Sequence, residues 1–471
     1  MSRLWTNGHP RVPYGQVTKQ PAHIVVAGGG HVGLFTALRL QRGLRRELRR
    51  GDVRITVISP DPYMTYQPFL PEAAAGSLSP RHVVVPLRRV LSRCRFLPGE
   101  VTAVDPGRRT ISVRTPADQE TGGEPLRVDY DELVLAPGSI SRTLPVPGLA
   151  DHGIGFKTIE EAIGLRNHVL EQLDIASSTR DSAVRDAALT FVFVGGGYAG
   201  VEALAELEDM GRYACRYYHN IRPEEQKWIL VEATDRILPE VGEQMGTYAL
   251  RELRGRNVDV RLGTRLESCD DRVATLSDGS RHPTRTLVWT AGVKAHPVLA
   301  SCDVPLDGRG RVRCRPDLRV EDREHLWSAG DAAAVPDLTR EDTGGPRALC
   351  APTAQHATRQ ARRLADNIAA ALRGEPLTDY RHRDLGSVAS LGLHKGVARV
   401  RRRRVKGPAA WLMHRAYHLG RVPTAHRKAR ILAEWALAGL FRREIVSLGS
   451  LEHPRAEFEL AAGTGRHPEG T

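Results

Sequence analysis

The chain has 471 residues, a formal net charge of +13 and 41% hydrophobic residues. This length suits two or three domains, and the mixture of apolar and polar residues excludes a largely disordered or low-complexity protein. The positive charge is compatible with a nucleic-acid partner or with an anionic lipid surface, so its position along the chain must distinguish the two.

The amino-terminal segment carries no targeting signal that we recognise. Residues 1–21 lack the apolar core of a secretory signal, and the chain contains no run of about 20 apolar residues. We therefore predict a disordered tail at 1–21 and a protein on the cytoplasmic side, without a signal peptide or transmembrane helix. The six cysteines form no CxxC pair, which indicates neither a metal site nor a disulfide framework.

The first predicted nucleotide-binding unit begins with an apolar strand at 23–27 and continues into the segment GGGHVG. This segment fits the G-x-G-x-x-G pattern, in which the glycines form a tight turn, let backbone approach a pyrophosphate and pack helix on strand. These roles fall to Gly28, Gly30 and Gly33. Apolar residues at helical spacing follow over 34–48, as expected for a strand–turn–helix unit.

The second strand of this unit is predicted at 53–59 and ends differently from the usual pattern. A carboxylate usually stands at its end and binds the ribose hydroxyl groups. Here Ser59 occupies that position, and Asp61 follows two residues later. Either Asp61 reaches the ribose, or the Ser59 hydroxyl and a backbone group hold it.

The segment FVFVGGGYAG repeats the arrangement with a second apolar strand. Gly195, Gly197 and Gly200 take the three glycine positions, and a strand at 227–233 carries Glu232 near its end. A carboxylate there accepts from the ribose hydroxyl groups of NAD and repels a 2′-phosphate, which predicts a preference for NADH over NADPH. Two pockets in one chain indicate a bound flavin and a visiting nicotinamide, because hydride transfer requires two sites that face one another.

Three further segments resemble the shared motifs of the two-dinucleotide-binding-domain flavoproteins: YDELVLAPGS at 130–139, LVWTAGV at 287–293 and HLWSAGDAAAVPD at 325–337. The resemblance implies an α/β fold with two Rossmann-like domains, the NADH domain inserted in the FAD domain. It also implies that Gly138, Gly330 and Asp331 contact FAD. An alternative role for Asp331 is the N-cap of a helix, because an alanine run follows it.

Cysteine usage separates the chemistries of that superfamily. Disulfide reductases need a cysteine pair beside the flavin in the first domain, and the segment after Ser59 has none, so this class is excluded. Sulfide:quinone reductases need cysteines on both sides of the flavin, and only Cys350 lies near an expected flavin contact. That class remains a weaker alternative.

The chain resembles type II NADH dehydrogenases most closely in two segments, YQPFLPEAAAGSLSP at 66–80 and APTAQHATRQA at 351–361. The resemblance implies a quinone site at Ala354 and Gln355, a role for Glu202 in proton delivery, and a homodimer. Without the resemblance, Glu202 would be a solvated charge in the first helical turn, where the helix dipole favours it. Some members place a lysine before the strand that follows the flavin site, whereas this chain has Leu385 and Gly386 there.

Much of the positive charge lies at 401–443, where basic residues alternate with aromatic residues and leucine. At helical spacing Ile431, Trp435 and Ala438 share one face with basic residues beside it, the pattern of a helix in a membrane interface. Each basic residue near an anionic surface contributes about 1 kcal/mol, so we expect an anionic lipid surface as partner and no nucleic acid. A basic surface over a buried helix is the alternative.

These assignments divide the chain into a tail at 1–21, the first part of the FAD domain at 22–150, the NADH domain at 151–294, the second part of the FAD domain at 295–380, a membrane-association region at 381–451 and a flexible tail at 452–471. The predicted activity is hydride transfer from NADH to FAD and transfer of two electrons to a membrane quinone, menaquinone or ubiquinone. The protein would lie at the cytoplasmic face of the plasma membrane as a peripheral enzyme. A soluble NAD(P)H reductase with a protein acceptor, and a redox-sensing protein without turnover, are the alternatives.

Overall fold

A computed structural model describes residues 20–340, 347–382, 386–401, 403–441 and 445–446. The tails predicted at 1–21 and 452–471 lie outside the described residues, except for residues 20 and 21. Leu385 lies outside them as well.

The strands are, in chain order, β1 (Ala22–Ala27), β2 (Val53–Ser59), β3 (Tyr63–Thr65), β4 (Val84–Pro86), β5 (Arg95–Pro98), β6 (Glu100–Asp105), β7 (Thr110–Arg114), β8 (Leu126–Asp129), β9 (Glu132–Leu135), β10 (Ser139–Ser141), β11 (Gly153–Gly155), β12 (Thr190–Val194), β13 (Lys227–Val231), β14 (Val258–Arg261), β15 (Leu266–Ser268), β16 (Val273–Leu276), β17 (Arg281–Pro283), β18 (Thr286–Trp289), β19 (Val293–Ala295), β20 (Val312–Arg313), β21 (Leu326–Ser328), β22 (Ala333–Ala334), β23 (Ser387–Ser390), β24 (Gly396–Val400) and β25 (Arg403–Lys406).

The α-helices are α1 (His31–Gly43), α2 (Arg45–Arg50), α3 (Leu70–Ala74), α4 (Pro80–Val83), α5 (Leu87–Val90), α6 (Pro116–Thr121), α7 (Leu149–His152), α8 (Ile159–Ser178), α9 (Ser182–Ala188), α10 (Tyr198–Ala214), α11 (Glu243–Arg254), α12 (Ala354–Arg373), α13 (Gly407–Arg421) and α14 (Ala425–Phe441).

The first parallel sheet has the strand order β21–β9–β1–β2–β5. Its central strand β1 has the sequence AHIVVA and is buried along almost its whole length, as expected for a strand covered on both faces. From β1 the chain turns into α1, which packs against α12. Thr36 Oγ1 on α1 donates to the Ala361 carbonyl oxygen on α12 at 3.3 Å. The first glycine turn therefore lies at the carboxyl edge of this sheet, between α1 and α12.

The second parallel sheet has the order β11–β18–β12–β13–β14. Its core contains a stack of Phe191 on β12 and Trp228 on β13, with ring centroids 4.3 Å apart. All five strands lie in sequence between β9 and β21, so the second unit is inserted into the first. The chain leaves the first unit through β10 and returns to it through β19. These two connecting strands pair with each other in antiparallel fashion. Two parallel Rossmann-like sheets confirm the predicted α/β class, while the predicted domain boundaries remain predictions.

The helix predicted over 34–48 is divided in two. α1 ends at Gly43, Leu44 leaves the helical region with φ −106° and ψ 28°, and α2 begins at Arg45. Glycine is a poor residue for a helix interior, which accounts for the break after Gly43. The predicted helical segment is therefore present as two helices separated at Leu44, and Leu48 on α2 packs against the core.

The carboxyl-terminal part consists of the antiparallel sheet β23–β24–β25, on which α13 packs, followed by α14. The prediction of which face of α14 contacts lipid is wrong. Ile431 is fully buried, and Trp435 Nε1 donates to Glu72 Oε2 on α3 at 2.7 Å. The apolar periodicity correctly predicted that these residues share one face of α14. That face packs against the protein and not against lipid, because α3 supplies a buried acceptor for the indole N–H. The exposed face instead carries large apolar side chains that are 52–78% exposed: Leu432, Leu437, Leu440 and Phe441.

Among the helices that the structure describes, we find none that combines the length and the apolar character needed to span a bilayer.

Candidate functional site

The first glycine turn joins β1 to α1 and is shaped by close backbone contacts. Gly28 has φ +120°, and a Cβ on Gly28 or Gly33 would overlap a carbonyl oxygen, of Ala136 and of Gly28 respectively. A Cβ on Gly30 would meet no atom within 4 Å, and no side chain caps the amino terminus of α1. The free N–H groups of a helix start, beside open space, form an anion site that suits a pyrophosphate.

The end of β2 lies directly against this turn. A Cβ on Gly29 would be 2.6 Å from Ser59 Oγ, so the buried serine side chain packs on the turn itself. Asp61 is exposed two residues further on, and desolvation together with the nearby Glu160 raises its pKa. Of the two candidates for the ribose, Ser59 is therefore the one that lies at the turn.

Asp331 occupies a 3₁₀ turn, Gly330–Ala332, that follows β21 and leads into β22. The alternative of a helix N-cap is thus wrong, because a strand and not a helix follows. Gly330 N donates to Gln360 Oε1 at 2.7 Å, which fixes the turn against α12. Asp331 Oδ2 accepts a hydrogen bond from Ser139 Oγ at 2.7 Å.

Two residues that the sequence did not single out extend this arrangement. Lys157 Nζ donates to Ser139 Oγ at 2.8 Å, so Lys157, Ser139 and Asp331 form one chain of hydrogen bonds. Desolvation lowers the pKa of Lys157. Ser139 directly follows Gly138, which has φ +78° and open space beside it. Ser139 is the last residue of the motif YDELVLAPGS and could have been predicted from it, whereas no local sequence pattern marks Lys157.

The second glycine turn, between β12 and α10, repeats the geometry of the first. Gly195 has φ +116°, and a Cβ there would lie 2.7 Å from Thr290 Oγ1. A Cβ on Gly200 would overlap the Gly195 carbonyl oxygen, whereas Gly197 faces open space. The amino terminus of α10 has no side-chain cap, as at α1. This turn offers a second site for a pyrophosphate.

Glu232 follows β13 and is held at the second turn by two backbone donors. Gly196 N donates to its Oε2 at 2.6 Å, and Thr234 N donates to its Oε1 at 2.8 Å. Arg236, the nearest arginine in sequence, pairs with Asp235 at 3.0 Å. The carboxylate is therefore positioned at the turn and keeps lone pairs for a ribose hydroxyl.

Glu202 lies in α10 one turn beyond the glycines, and it is buried. Its Oε1 accepts from Ser390 N at 2.8 Å and lies 3.3 Å from His414 Nε2 on α13. The solvated charge considered as its simpler role is therefore wrong. Desolvation lowers the pKa of the buried His414, but the facing Glu202 outweighs it, and the net shift is upward.

A pocket lies between the first glycine turn, α12 and α13. Ala354 and Gln355, both predicted for a quinone, line it at the start of α12. Gln355 Nε2 donates to the Gly386 carbonyl oxygen at 3.0 Å, which fixes the amide plane. The other lining residues are His31, Tyr66, Pro68, Thr358, Arg359, Tyr417, His418 and Arg421.

His31, Tyr66 and His418 were not predicted as site residues. His31 fills a free position of the first glycine pattern, and burial lowers its pKa to about 4. Tyr66 Oη lies 3.3 Å from His418 Nδ1. The spacing of His414 and His418, one helical turn apart, was a signal available in the sequence.

The cysteines do not form the pairs that disulfide or sulfide chemistry requires. All six are free thiols, and Cys350 is buried with its Sγ near the Pro336 carbonyl oxygen. Burial raises the pKa of the Cys350 thiol to about 11. Since the thiolate is the nucleophile in such reactions, this thiol is poorly suited to attack sulfur.

Comparison with known proteins agrees with this geometry. The chain is 28% identical to the type II NADH:quinone oxidoreductase of Staphylococcus haemolyticus over 86% of this chain and 98% of the relative. It superposes on the NDH2 of Plasmodium falciparum solved with NADH with a TM-score of 0.81 at 17% identity, covering 90% and 99% of the two chains. For the sulfide:quinone oxidoreductase of Aquifex aeolicus the TM-score is 0.64 at 18% identity, covering 90% and 96%.

The resemblance to type II NADH dehydrogenases expected from the motifs is confirmed by these relatives. The broader family assignment rests on most of the chain, because residues 19–361 match the pyridine nucleotide-disulphide oxidoreductase family. The protein is therefore a member of the pyridine nucleotide-disulphide oxidoreductase family.

Proposed function

We propose that the protein is a type II NADH:quinone oxidoreductase, which passes hydride from NADH to FAD and two electrons onward to a membrane quinone. The observation that carries the proposal is that one chain holds two open glycine turns of the same geometry, and a pocket lies beside the first of them. His31 from the first turn lines this pocket, and Glu202 behind the second turn contacts its wall through His414. Relatives matched over nearly their whole length carry the name of this activity.

FAD suits the first turn because its pyrophosphate, its ribose and its ribityl chain each have a candidate residue there. Gly30 leaves the amino terminus of α1 open to the pyrophosphate, and the Ser59 hydroxyl is available for the ribose. Asp331 offers a carboxylate for hydroxyl groups of the ribityl chain, Gly138 leaves open space near it, and Gly330 packs closely on Val32. When bound, the flavin supplies the acceptor for hydride and the store for two electrons.

NADH suits the second turn for the same reasons. Gly197 leaves the start of α10 open, and Glu232 is held where a ribose hydroxyl would donate to it. The same carboxylate would repel the 2′-phosphate of NADPH, which supports a preference for NADH.

A quinone head group suits the pocket formed by Tyr66, Pro68, Ala354 and Gln355. Gln355 uses one amide hydrogen toward the Gly386 carbonyl oxygen and retains a second for a quinone carbonyl. Glu202 is a buried carboxylate 3.3 Å from His414, which lies one helical turn from the lining residue His418, and Glu202 is proposed to take part in proton delivery.

Attachment to an anionic lipid surface through 401–443 is supported by the exposed face of α14. Leu440 and Phe441 are 76% and 78% exposed, and Arg430 on the same helix is exposed as well. An exposed apolar face beside basic residues is the pattern of an interfacial helix, and it would place the pocket at the bilayer. Peripheral attachment at the cytoplasmic face and a homodimer are further parts of the proposal.

The test is an anaerobic reaction of the purified holoprotein with NADH, followed by a short-chain menaquinone. Bleaching of the flavin band by NADH and its return on addition of quinone would support the proposal. Bleaching without return would favour a protein acceptor, and failure to bleach would favour a binding protein without turnover. Flotation with vesicles containing anionic lipid tests the membrane part separately.

A further inference from the structure

A row of titratable side chains runs through the protein from Glu202 to the pocket. It passes from α10 to two histidines on α13, and from there to a tyrosine that precedes α3. Its members are Glu202, His414, His418 and Tyr66. Only the last two of these line the pocket.

Each step in the row is a direct contact. Glu202 Oε1 lies 3.3 Å from His414 Nε2. The rings of His414 and His418 lie 4.5 Å apart between centroids, in an edge-to-face arrangement. His418 Nδ1 lies 3.3 Å from Tyr66 Oη, and the Tyr66 ring lies 5.7 Å from that of His31 in the first glycine turn. The four side chains are therefore neighbours from α10 to the wall of the pocket, with a hydrogen bond at the His418–Tyr66 step and a ring contact between the two histidines.

The two histidines have opposite charge environments. His414 is buried, and three carboxylates face it: Glu202 and Glu206 from α10 and Glu72 from α3. Their negative charge raises the pKa of His414. Desolvation lowers the pKa of His418 well below the usual value, and the neighbouring His414, Arg421 and His31 lower it further. The surroundings therefore favour a proton on His414 over one on His418.

The row also continues away from the pocket. Ser390 N donates to Glu202, and Ser390 Oγ donates to Glu206 Oε1 at 3.2 Å. One turn further along α10, Asp209 is 21% exposed and accepts from Leu393 N. Glu202, Glu206 and Asp209 share one face of α10, because residues four and three apart lie above one another. This face of α10 therefore places Glu206 between Glu202 and the partly exposed Asp209, which also pairs with Arg256 at 2.8 Å.

We propose that His414 and His418 relay the proton that quinone reduction consumes from Glu202 to the pocket, with His418 as the donor that reaches the quinone. The inference rests on the proposed function. The overall reaction, NADH + H⁺ + quinone → NAD⁺ + quinol, takes hydride from NADH and one proton from solvent. In the relay, His414 passes its proton to His418, His418 passes it on to a quinone oxygen, and Glu202 restores the proton on His414, itself resupplied from solvent.

The test compares acceptors that differ in their need for a proton. Ferricyanide takes electrons one at a time without a proton, whereas a short-chain quinone must be protonated. In the prereduced holoprotein, His414→Gln and His418→Gln should each slow reoxidation by quinone by about 100-fold, the usual range for a lost acid. Reoxidation by ferricyanide should stay at the wild-type rate. His219→Gln, at an exposed position on another surface, is the matched control and should change neither rate.

Wild-type reoxidation by quinone should fall as the pH rises through the raised pKa of His414, because the relay then loses its proton, and this decline should be missing in His414→Gln. A readout independent of turnover is the titration of His414 in ¹⁵N-histidine-labelled protein. In Glu202→Gln its pKa should drop, since the carboxylate that raises it is gone.

The outcomes separate the relay from the proposed function. Wild-type quinone rates in the two histidine variants, or equal losses with both acceptors, would overturn the relay while the proposed function stands. An unshifted His414 titration in Glu202→Gln would overturn it as well. A wild-type protein that does not reduce quinone at all would overturn the proposed function and the relay together.

Discussion

Arg415 on α13 is expected to hold the two carboxyl-terminal helices to the first domain. Its guanidinium lies 3.1 Å from Glu72 Oε2 on α3, and the two side chains are only 12% and 3% exposed. The same guanidinium stacks between Trp411 and Trp435, at 4.0 and 4.6 Å from their ring centroids. The perturbation is Arg415→Met, which keeps the length of the side chain and removes its charge.

The size of the expected destabilisation follows from the Glu72 carboxylate, which stays buried without its partner in Arg415→Met. Removing one partner of a buried ion pair costs about 3–5 kcal/mol, because the other charge loses its compensation. Since about 1.4 kcal/mol corresponds to a factor of ten, opening of α13 and α14 should become at least about 100-fold more frequent. In the double variant Glu72→Leu with Arg415→Met neither charge remains, so most of this loss should be recovered. What persists is about 1 kcal/mol for the Trp435 indole N–H that loses its acceptor.

Amide hydrogen exchange is the suitable assay, because it reports local opening in a protein of several domains. Exchange of α13 should accelerate by the stated factor in Arg415→Met and return to within about tenfold of wild type in the double variant. Exchange of the second parallel sheet should not change. Arg430→Met, at an exposed position of α14, is the control. Exchange of α13 at the wild-type rate in Arg415→Met, or no recovery in the double variant, would refute this account.

Four further predictions follow from the site and the surface. Gly33→Ala should abolish flavin retention, because the new methyl group would overlap a backbone oxygen, whereas Gly43→Ala, with open space around it, should retain the yellow cofactor; flavin absorbance per chain measures both. Glu232→Gln should raise the kcat/KM ratio of NADPH to NADH about tenfold or more, and an unchanged ratio would show that the carboxylate does not select the nucleotide. Because burial raises its pKa to about 11, the Cys350 thiol should resist iodoacetamide at about pH 8, and Cys350→Ala should retain quinone reduction; loss of activity would instead favour sulfide chemistry. Phe441→Ser should weaken flotation with anionic vesicles, and unaltered flotation would exclude the exposed face of α14 as the lipid contact.

Local patterns were sufficient for the nucleotide-binding units. The strands at 23–27 and 53–59 lie within β1 and β2, because parallel strands are buried on both faces and read as continuous apolar runs. Gly28, Gly33, Gly195 and Gly200 stand where a Cβ would meet neighbouring atoms too closely, whereas Gly30 and Gly197 leave open space at a helix start, so the pattern was predictable. Gly28 and Gly195 both have φ near +120°, at +120° and +116°.

Contacts between distant parts of the chain were not predictable in the same way. Lys157 meets Ser139 and Asp331 only because the second unit is inserted into the first, and no spacing in the sequence encodes that meeting. The face of α14 around Trp435 has the apolar period of a lipid contact, yet a carboxylate on α3 makes it a protein contact. Asp331 was compatible with an N-cap until the structure placed a strand after it. The apolar periodicity of a sequence identifies which face of a helix is apolar, whereas the tertiary structure determines what that face packs against.

The measurement that tests the central claim most directly is reoxidation of the NADH-reduced holoprotein by a short-chain menaquinone under anaerobic conditions, followed at the flavin band. The proposed function predicts bleaching by NADH, weaker bleaching by NADPH and prompt recovery of the band when quinone is added. A flavin that stays reduced in the presence of quinone would contradict it.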